Sequence, residues 1–341
     1  MPNPPPGDPE HTRTITAVPV SATWVRRLAL ASLAGNVAIV LTGGAVRLTD
    51  SGLGCPTWPR CADGSWTATA EMGVHGLIEN TNRGLGVLLG AVALAGFLAT
   101  LRLRPRRASL VRLSGAVLAG VAAQGAIGGI TVWTDLNPWI VGSHFLISMA
   151  LIATAYAFWR AASPPPPETA PVPAPLRTLT WLVAAVAAVL LAVGTVVTGS
   201  GPHAGDADVA RNGLDPQALS QAHADLAFLL LGLATALWFA LRAVGASTRP
   251  ATLLLAAILG QAAIGLFQYA TGLPVAAVWL HLLGASLVWL ASVHLLHATG
   301  TRQPRRPGDP GGPPATPPAG AEPAPAQQPP RSVQTSLVPG A

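Results

Sequence analysis

The stretches QGAIGGITVWTDLNPWIVGSHF (residues 124–145) and QAAIGLFQYATGLPVAAVWLHL (residues 261–282) repeat each other without a gap. The matching positions, all at one constant offset, are Gln124/Gln261, Ile127/Ile264, Gly128/Gly265, Thr134/Thr271, Leu136/Leu273 and His144/His281. Both copies lie in strongly apolar sequence, where an imidazole costs free energy unless a partner or a ligand compensates it. The repeat therefore predicts two copies of one helical unit, each with a histidine at the same place.

The composition is typical of a membrane protein, because half of the residues are hydrophobic, 10% are charged and the mean hydropathy is +0.47. Apolar runs long enough to cross a hydrocarbon layer of about 30 Å lie near residues 24–46, 75–100, 111–132, 138–160, 178–199, 219–242, 250–271 and 275–298. These runs use most of the chain between residues 24 and 298. We therefore expect an all-α membrane protein with eight transmembrane helices and no separate soluble domain.

The charged residues predict how the spans are oriented. Every basic residue is an arginine, and arginines such as Arg26, Arg27 and the five between residues 102 and 112 lie on one side of the predicted spans. The loops on the opposite side are acidic. By the positive-inside rule the arginine-rich side is cytoplasmic, so both termini are expected in the cytoplasm. The membrane is expected to be the plasma membrane. The net charge of +6 then reflects topology, and no nucleic acid partner is expected.

Proline-rich segments divide the chain into domains. Residues 1–23 and 299–341 are expected to be disordered cytoplasmic tails, and residues 161–177 a proline-rich cytoplasmic linker. The linker separates a first four-helix bundle at residues 24–160 from a second at residues 178–298. Because each unit has an even number of spans, both copies enter the membrane in the same direction. This predicts a parallel internal repeat of two pseudo-symmetric four-helix bundles.

Four histidines, at positions 75, 144, 223 and 281, lie near the outer starts of even-numbered spans. Two neutral imidazoles from facing helices are the usual protein ligands of an electron-transferring haem. The alternative is that each histidine only forms a hydrogen bond with a neighbouring helix. For His144 and His281, which repeat and lie at one level, haem ligation is the preferred interpretation. His294 and His297, at the inner end of the last span, are interpreted as solvated.

Glu79 lies about one turn inside the second span, where a carboxylate costs on the order of 3 kcal/mol. His75, Glu79 and Asn82 are spaced i, i+4 and i+7, so they share one helical face. Arg83 is four residues after Glu79 and could pair with it. Two compatible interpretations stay open: a structural ion pair, or a carboxylate that faces a cofactor cavity as proton acceptor or cation stabiliser.

The only cysteines, Cys55 and Cys61, fall in the predicted outer loop GCPTWPRC. That compartment is oxidising, so a disulfide is expected. Two cysteines alone supply too few ligands for a zinc site. The remaining alternative is a catalytic dithiol, since strained and exposed disulfides are often the labile ones.

Several motifs together resemble the haem A synthase family. They are the two repeated stretches, TGGAVRLTDSGLGCPTWPRC (residues 42–61), IENTNR (78–83), GTVVTGSGPHAGD (194–206), QAHADL (221–226) and QYATGLPVAAVWLHLLGASLVW (268–289). The resemblance covers about residues 25–298, and the arginine-only basic residues are similar to those of actinobacterial members. It implies two pseudo-symmetric four-helix bundles. It also implies oxidation of the C8 methyl of haem O to a formyl group through a hydroxymethyl intermediate, which makes haem A for a terminal cytochrome oxidase.

The resemblance also implies a role for each site residue. His223 and His281 would be the axial ligands of a haem b in the second bundle, and His144 a ligand of the substrate haem O in the first. Glu79 would be the catalytic carboxylate, and Cys55 and Cys61 the loop cysteine pair.

One position departs from the family pattern. Asn82 stands where the family has a second histidine of the first bundle, and an amide is a poor ligand for iron. His75, one turn before Glu79, is the candidate replacement as second ligand of the substrate haem. Asn82 and Arg83 are expected to support the site.

The partners implied are membrane lipid, haem O synthase (protohaem farnesyltransferase), cytochrome oxidase assembly and an unidentified electron acceptor, and a homo-oligomer stays open. The rival class is a bis-histidine membrane cytochrome b that acts only in electron transfer. Glu79 and the cysteine loop argue against it, because electron transfer needs neither. A transporter is less favoured still, since the polar groups gather near the outer face and not at mid-membrane.

Overall fold

The computed structural model describes residues 21–165 and 171–300. Its helices are α1 (Ala22–Leu48), α2 (Gly73–Arg102), α3 (Ala108–Trp133), α4 (Pro138–Ala162), α5 (Ala174–Ser200), α6 (Pro216–Ala243), α7 (Arg249–Ala270) and α8 (Val275–Gly300), with one 3-10 turn at Ala70–Met72. Most of the two predicted tails and part of the predicted linker lie outside the described residues. Helix reaches into both ends of that linker, because α4 ends at Ala162 and α5 begins at Ala174.

The eight predicted spans are confirmed by helices that are long and apolar enough to cross a membrane. The shortest, α7, has 22 residues, and about 20 residues suffice to span the hydrocarbon layer. No β-strand occurs within residues 21–165 and 171–300. The expectation of an all-α membrane protein is therefore confirmed.

Capping residues fix where several helices begin. The side chains of Ser21, Asn137 and Asp215 accept hydrogen bonds from the first-turn N–H groups of α1, α4 and α6. In α4 and α6 a proline follows the cap, which suits a position whose N–H would have no helical partner. These two caps fix the first residues of the helices that carry His144 and His223.

The helices pack in two groups of four. In the first, α1 and α3 each pack against both α2 and α4; in the second, α5 and α7 each pack against both α6 and α8. Buried apolar residues form one cluster centred on each group. The groups meet where α1 contacts α8 and where α4 contacts α5 and α8. The division into domains at residues 24–160 and 178–298, and the pseudo-symmetry between them, stay predictions.

Tryptophan side chains connect the two groups. Trp279 of α8 donates from Nε1 to the carbonyl of Leu41 in α1, at 2.9 Å, and Trp289 donates to the carbonyl of Met149 in α4, at 2.7 Å. Hydrogen bonds of this kind stabilise helix pairs in a membrane, where water offers no alternative partner.

The interpretation of His294 as solvated is wrong. Its Nδ1 shares a hydrogen bond of 2.7 Å with the hydroxyl of Tyr156, which is only 3% exposed. A buried tyrosine needs such a partner for its hydroxyl. The ring of His297 also packs edge-on against Tyr156, with 5.2 Å between ring centroids. These histidines therefore help to hold α8 against α4.

Candidate active site and histidine sites

Glu79 is buried, at 5% exposure, near the start of α2. Its Oε1 accepts hydrogen bonds from Nη2 of Arg83, at 2.6 Å, and from Nε, at 3.1 Å. Its Oε2 accepts the backbone N–H of Cys55, at 2.6 Å. The predicted ion pair is thus present, and charge-assisted hydrogen bonds on both oxygens hold the carboxylate in one orientation.

Arg83 also binds the loop between α1 and α2. It donates to the carbonyls of Cys55, Thr57 and Arg60, at 3.1, 2.9 and 3.2 Å. A guanidinium has five N–H donors in a fixed plane, so it can hold these carbonyls and Glu79 together. The Cys55–Cys61 disulfide is formed, with 4.5 Å between the Cα atoms, and both cysteines are fully buried. The predicted disulfide is confirmed, and it belongs to the same unit as Glu79.

His144 lies on α4 against α3. Its backbone carbonyl accepts a hydrogen bond from Nε2 of Gln124, at 3.0 Å, and Gln124 also binds Ser148. A Cβ atom at Gly128 would lie 3.7 Å from Cε1 of the His144 ring, an ordinary van der Waals distance, so the ring packs beside this glycine but does not require one. Nδ1 of His144 is buried and has no hydrogen-bond partner within the described residues.

His75 and Asn82 face other groups. His75 is exposed, and its Nδ1 lies 3.0 Å from the hydroxyl of Ser51. Asn82 forms a hydrogen bond of 2.7 Å through Oδ1 with the hydroxyl of Thr42 on α1. In the part of the chain that the structure describes, no ring contact joins His75 to His144. The replacement of the missing ligand by His75 stays a prediction.

His223 of α6 and His281 of α8 face each other, with 6.4 Å between ring centroids and 56° between ring planes. Two imidazoles that bind one first-row metal from opposite sides have nitrogens about 4 Å apart, because each metal–nitrogen distance is about 2 Å. Each ring centroid lies farther from the metal than its nitrogen by about the radius of the ring, so the two centroids would be about 6 Å apart. The observed separation therefore suits a single iron between the two rings.

Glycines on α5 and α7 shape the space around this pair. A Cβ atom at Gly194 would lie 3.0 Å from Cε1 of His223, and one at Gly265 would lie 3.1 Å from Cε1 of His281. In both rings Nδ1 is closer to the glycine than Nε2 is, so Nε2 is the nitrogen directed away from it. Gln261 donates to the carbonyl of His281, at 2.9 Å, as Gln124 does to that of His144.

The side chains available as ligands indicate which kind of metal site the protein can form. Within residues 21–165 and 171–300, no group of three or more His, Cys, Asp or Glu side chains could hold a metal ion. A histidine pair suits an iron whose other ligands come from a porphyrin. The second group of helices therefore fits a bis-histidine haem.

Arg47 forms contacts that the sequence did not predict. From the last turn of α1 it donates to the carbonyls of Thr198, at 2.9 Å, and His203, at 2.5 Å, in the other group of helices. Beside it, the N–H of Gly52 donates to the carbonyl of Gly205, at 2.8 Å. We call these contacts between residues 47–52 and 198–205 the end cap. No spacing in the sequence indicates them, because the partners lie about half the chain apart.

Comparisons with known proteins identify a family and several relatives. A family model described as "Cytochrome oxidase assembly protein" (COX15-CtaA) matches residues 26–293. A protein of Bradyrhizobium sp. (strain ORS 278) named Heme A synthase is 29% identical over 323 aligned residues, covering 78% of this chain and 89% of that protein. A Heme A synthase of Azorhizobium caulinodans is 28% identical over an alignment 350 positions long, covering 86% of this chain and 96% of that protein. A Heme A synthase of Symbiobacterium thermophilum is 29% identical over 182 aligned residues, covering 51% of this chain and 58% of that protein.

Proposed function

The chain belongs to the COX15-CtaA family of cytochrome oxidase assembly proteins, and from this we propose that it is a haem A synthase. Its substrate would be haem O, whose C8 methyl it would oxidise to a formyl group through a hydroxymethyl stage. The observation that carries the proposal is Glu79, a buried carboxylate bound to a disulfide loop in the group of helices that holds His144. An electron-transfer protein has no need of such a carboxylate.

Glu79 supplies the acid–base chemistry that the oxidation requires. With water as the oxygen donor, the first stage would convert the methyl group to hydroxymethyl with loss of two electrons and two protons, one proton from the methyl group and one from water. The second stage would convert hydroxymethyl to formyl with loss of two more electrons and two protons. A fixed carboxylate in a site of low dielectric constant accepts such a proton, or stabilises positive charge that develops during the reaction. Arg83 balances the charge of Glu79 inside the membrane, where an unpaired carboxylate would be costly.

His144 is the residue of the first group best placed to bind the iron of haem O, because its Nδ1 is buried and has no hydrogen-bond partner within the described residues. His75 is the candidate second ligand in place of Asn82. Arg83 and the Cys55–Cys61 disulfide keep the loop fixed against Glu79, which orients the carboxylate.

His223 and His281 would hold a haem b, as their separation and the glycines beside them suggest. A bound haem b supplies one-electron redox chemistry. The two histidines fix its position, and the apolar helices around them keep water away from it. Electrons would leave to an acceptor that is still unidentified.

The proposed setting is the plasma membrane with both termini in the cytoplasm. Haem O synthase would supply the substrate, and cytochrome oxidase assembly would receive the haem A. The chain would contact membrane lipid, and a homo-oligomer stays open.

Pigment analysis tests this function. Membranes containing haem O synthase, with and without this chain, would be extracted and their haems separated by chromatography. We expect haem A only when the chain is present, and none with the control variant His281→Ala. A protein that shows a low-spin b-type spectrum but leaves haem O unchanged would instead be a cytochrome b acting only in electron transfer.

A further inference from the structure

Two consecutive glycines on α3 receive rings from different parts of the chain. Gly128 faces His144, as described above. A Cβ atom at Gly129 would lie 2.5, 2.7 and 2.9 Å from three ring atoms of Trp58, so only a glycine admits this ring. Consecutive residues of a helix lie about 1.5 Å apart along its axis and about 100° apart around it, so Trp58 and His144 contact α3 at nearly the same height on adjacent faces.

Trp58 is held in this position from two sides. It lies between Thr57 and Arg60, whose carbonyls both accept hydrogen bonds from Arg83 of α2. Its ring also packs edge-on against Trp133 at the end of α3, with 5.4 Å between centroids. The loop whose carbonyls are bound by Arg83 of α2 therefore places the indole of Trp58 against α3.

The second group of helices lacks this arrangement. At the offset that pairs Gly128 with Gly265, Gly129 pairs with Leu266, and Leu266 is 71% exposed. A glycine beside the histidine therefore occurs on both α3 and α7. A glycine that accommodates a tryptophan ring occurs on α3 but not on α7. On the proposed function, the first site must take up haem O and release haem A, while the second keeps its haem.

We propose that Trp58 is the residue that retains haem O in the first site by closing the space between α2 and α3 beside His144. This rests on the proposed function and adds a positioning residue to it. The ring covers the substrate site from the side of the disulfide loop. Uptake of haem O and release of haem A then require the indole of Trp58 to move away from Gly129.

The test measures how fast haem O leaves the full-length protein. Purified protein is loaded with haem O without an electron acceptor and mixed with excess apomyoglobin, and the transferred haem is identified by chromatography. For Trp58→Ala we expect release about tenfold faster, which is the factor that a lost aromatic contact is typically worth. Trp66→Ala is the matched control, because Trp66 belongs to the same loop and is 66% exposed; its release rate should equal that of the wild type.

Gly129→Ala tests this contact without removing the indole. It should speed release in the wild-type background and have no further effect in the Trp58→Ala background, as a double-mutant cycle requires for one shared contact. An unchanged second-site spectrum shows that each variant is folded.

Three outcomes would overturn the inference: wild-type release from Trp58→Ala, equally fast release from Trp66→Ala, or acceleration by Gly129→Ala without Trp58. A wild-type protein that binds no haem O would overturn the proposed function instead.

Discussion

At the scale of single residues, Glu79 is the side chain to which we assign the acid–base step of the reaction. Glu79→Gln keeps the size of the side chain and one acceptor oxygen, but removes the charge that Arg83 balances. We expect the variant to bind haem O and to make about 100-fold less haem A, the range in which general acid–base groups contribute. Haem A measured per amount of folded protein checks this. A yield close to that of the wild type would leave Glu79 as half of a structural ion pair.

His75 carries the second residue-scale prediction. If it is the second ligand of the substrate haem, His75→Ala should abolish haem A formation and leave the spectrum of the His223–His281 haem unchanged. Adding Asn82→His should recover part of the activity. Full activity in His75→Ala would limit His75 to its contact with Ser51.

At the scale of helices, α7 is positioned by Gly265. A valine there would push against the His281 ring, which a Cβ atom already approaches to 3.1 Å. Overpacking of this kind costs about 1–3 kcal/mol, so Gly265→Val should lower the content of low-spin haem. Gly260→Val on the same helix is the control, because a Cβ atom at Gly260 meets nothing within 4 Å. Absorbance spectra per milligram of protein compare the two, and equal haem content would contradict the role of Gly265.

The loop between α1 and α2 carries the next prediction. Replacing both Cys55 and Cys61 by serine removes the disulfide, whose stabilisation for so small a ring should be near the low end of about 2–4 kcal/mol. The bonds from Arg83 to loop carbonyls remain. The double variant should therefore fold and keep its second-site haem, but make less haem A. Mass spectrometry of unreduced wild-type protein must show no free thiols for this argument to hold.

Local sequence patterns predicted the helices and part of the site. Each span is one uninterrupted apolar run, and Glu79 and Arg83 are four residues apart on one helix, so both follow from short-range geometry. The seat of Trp58 on Gly129, the bond from Cys55 to Glu79 and the Tyr156–His294 pair do not. They depend on which helices and loops become neighbours, and apolar periodicity carries no such information.

At the scale of the whole molecule, orientation in the membrane is the open expectation. Gly213, in the loop before α6, and Gly245, in the loop after it, are both glycines at which a Cβ atom would meet nothing within 4 Å. Truncated fusions at Gly213 should activate alkaline phosphatase, which works only outside the cytoplasm. Fusions at Gly245 should instead give fluorescent green fluorescent protein. The reverse pattern would place both termini outside.

The end cap also limits the order in which contacts can form while the chain is being synthesised. Arg47 precedes its acceptor Thr198 by 151 residues. At about 5–20 residues per second, translation takes roughly ten seconds or longer to reach that acceptor. During this interval Arg47 has no carbonyl of Thr198 to bind. These contacts between the two groups of helices therefore form only after α5 has been synthesised.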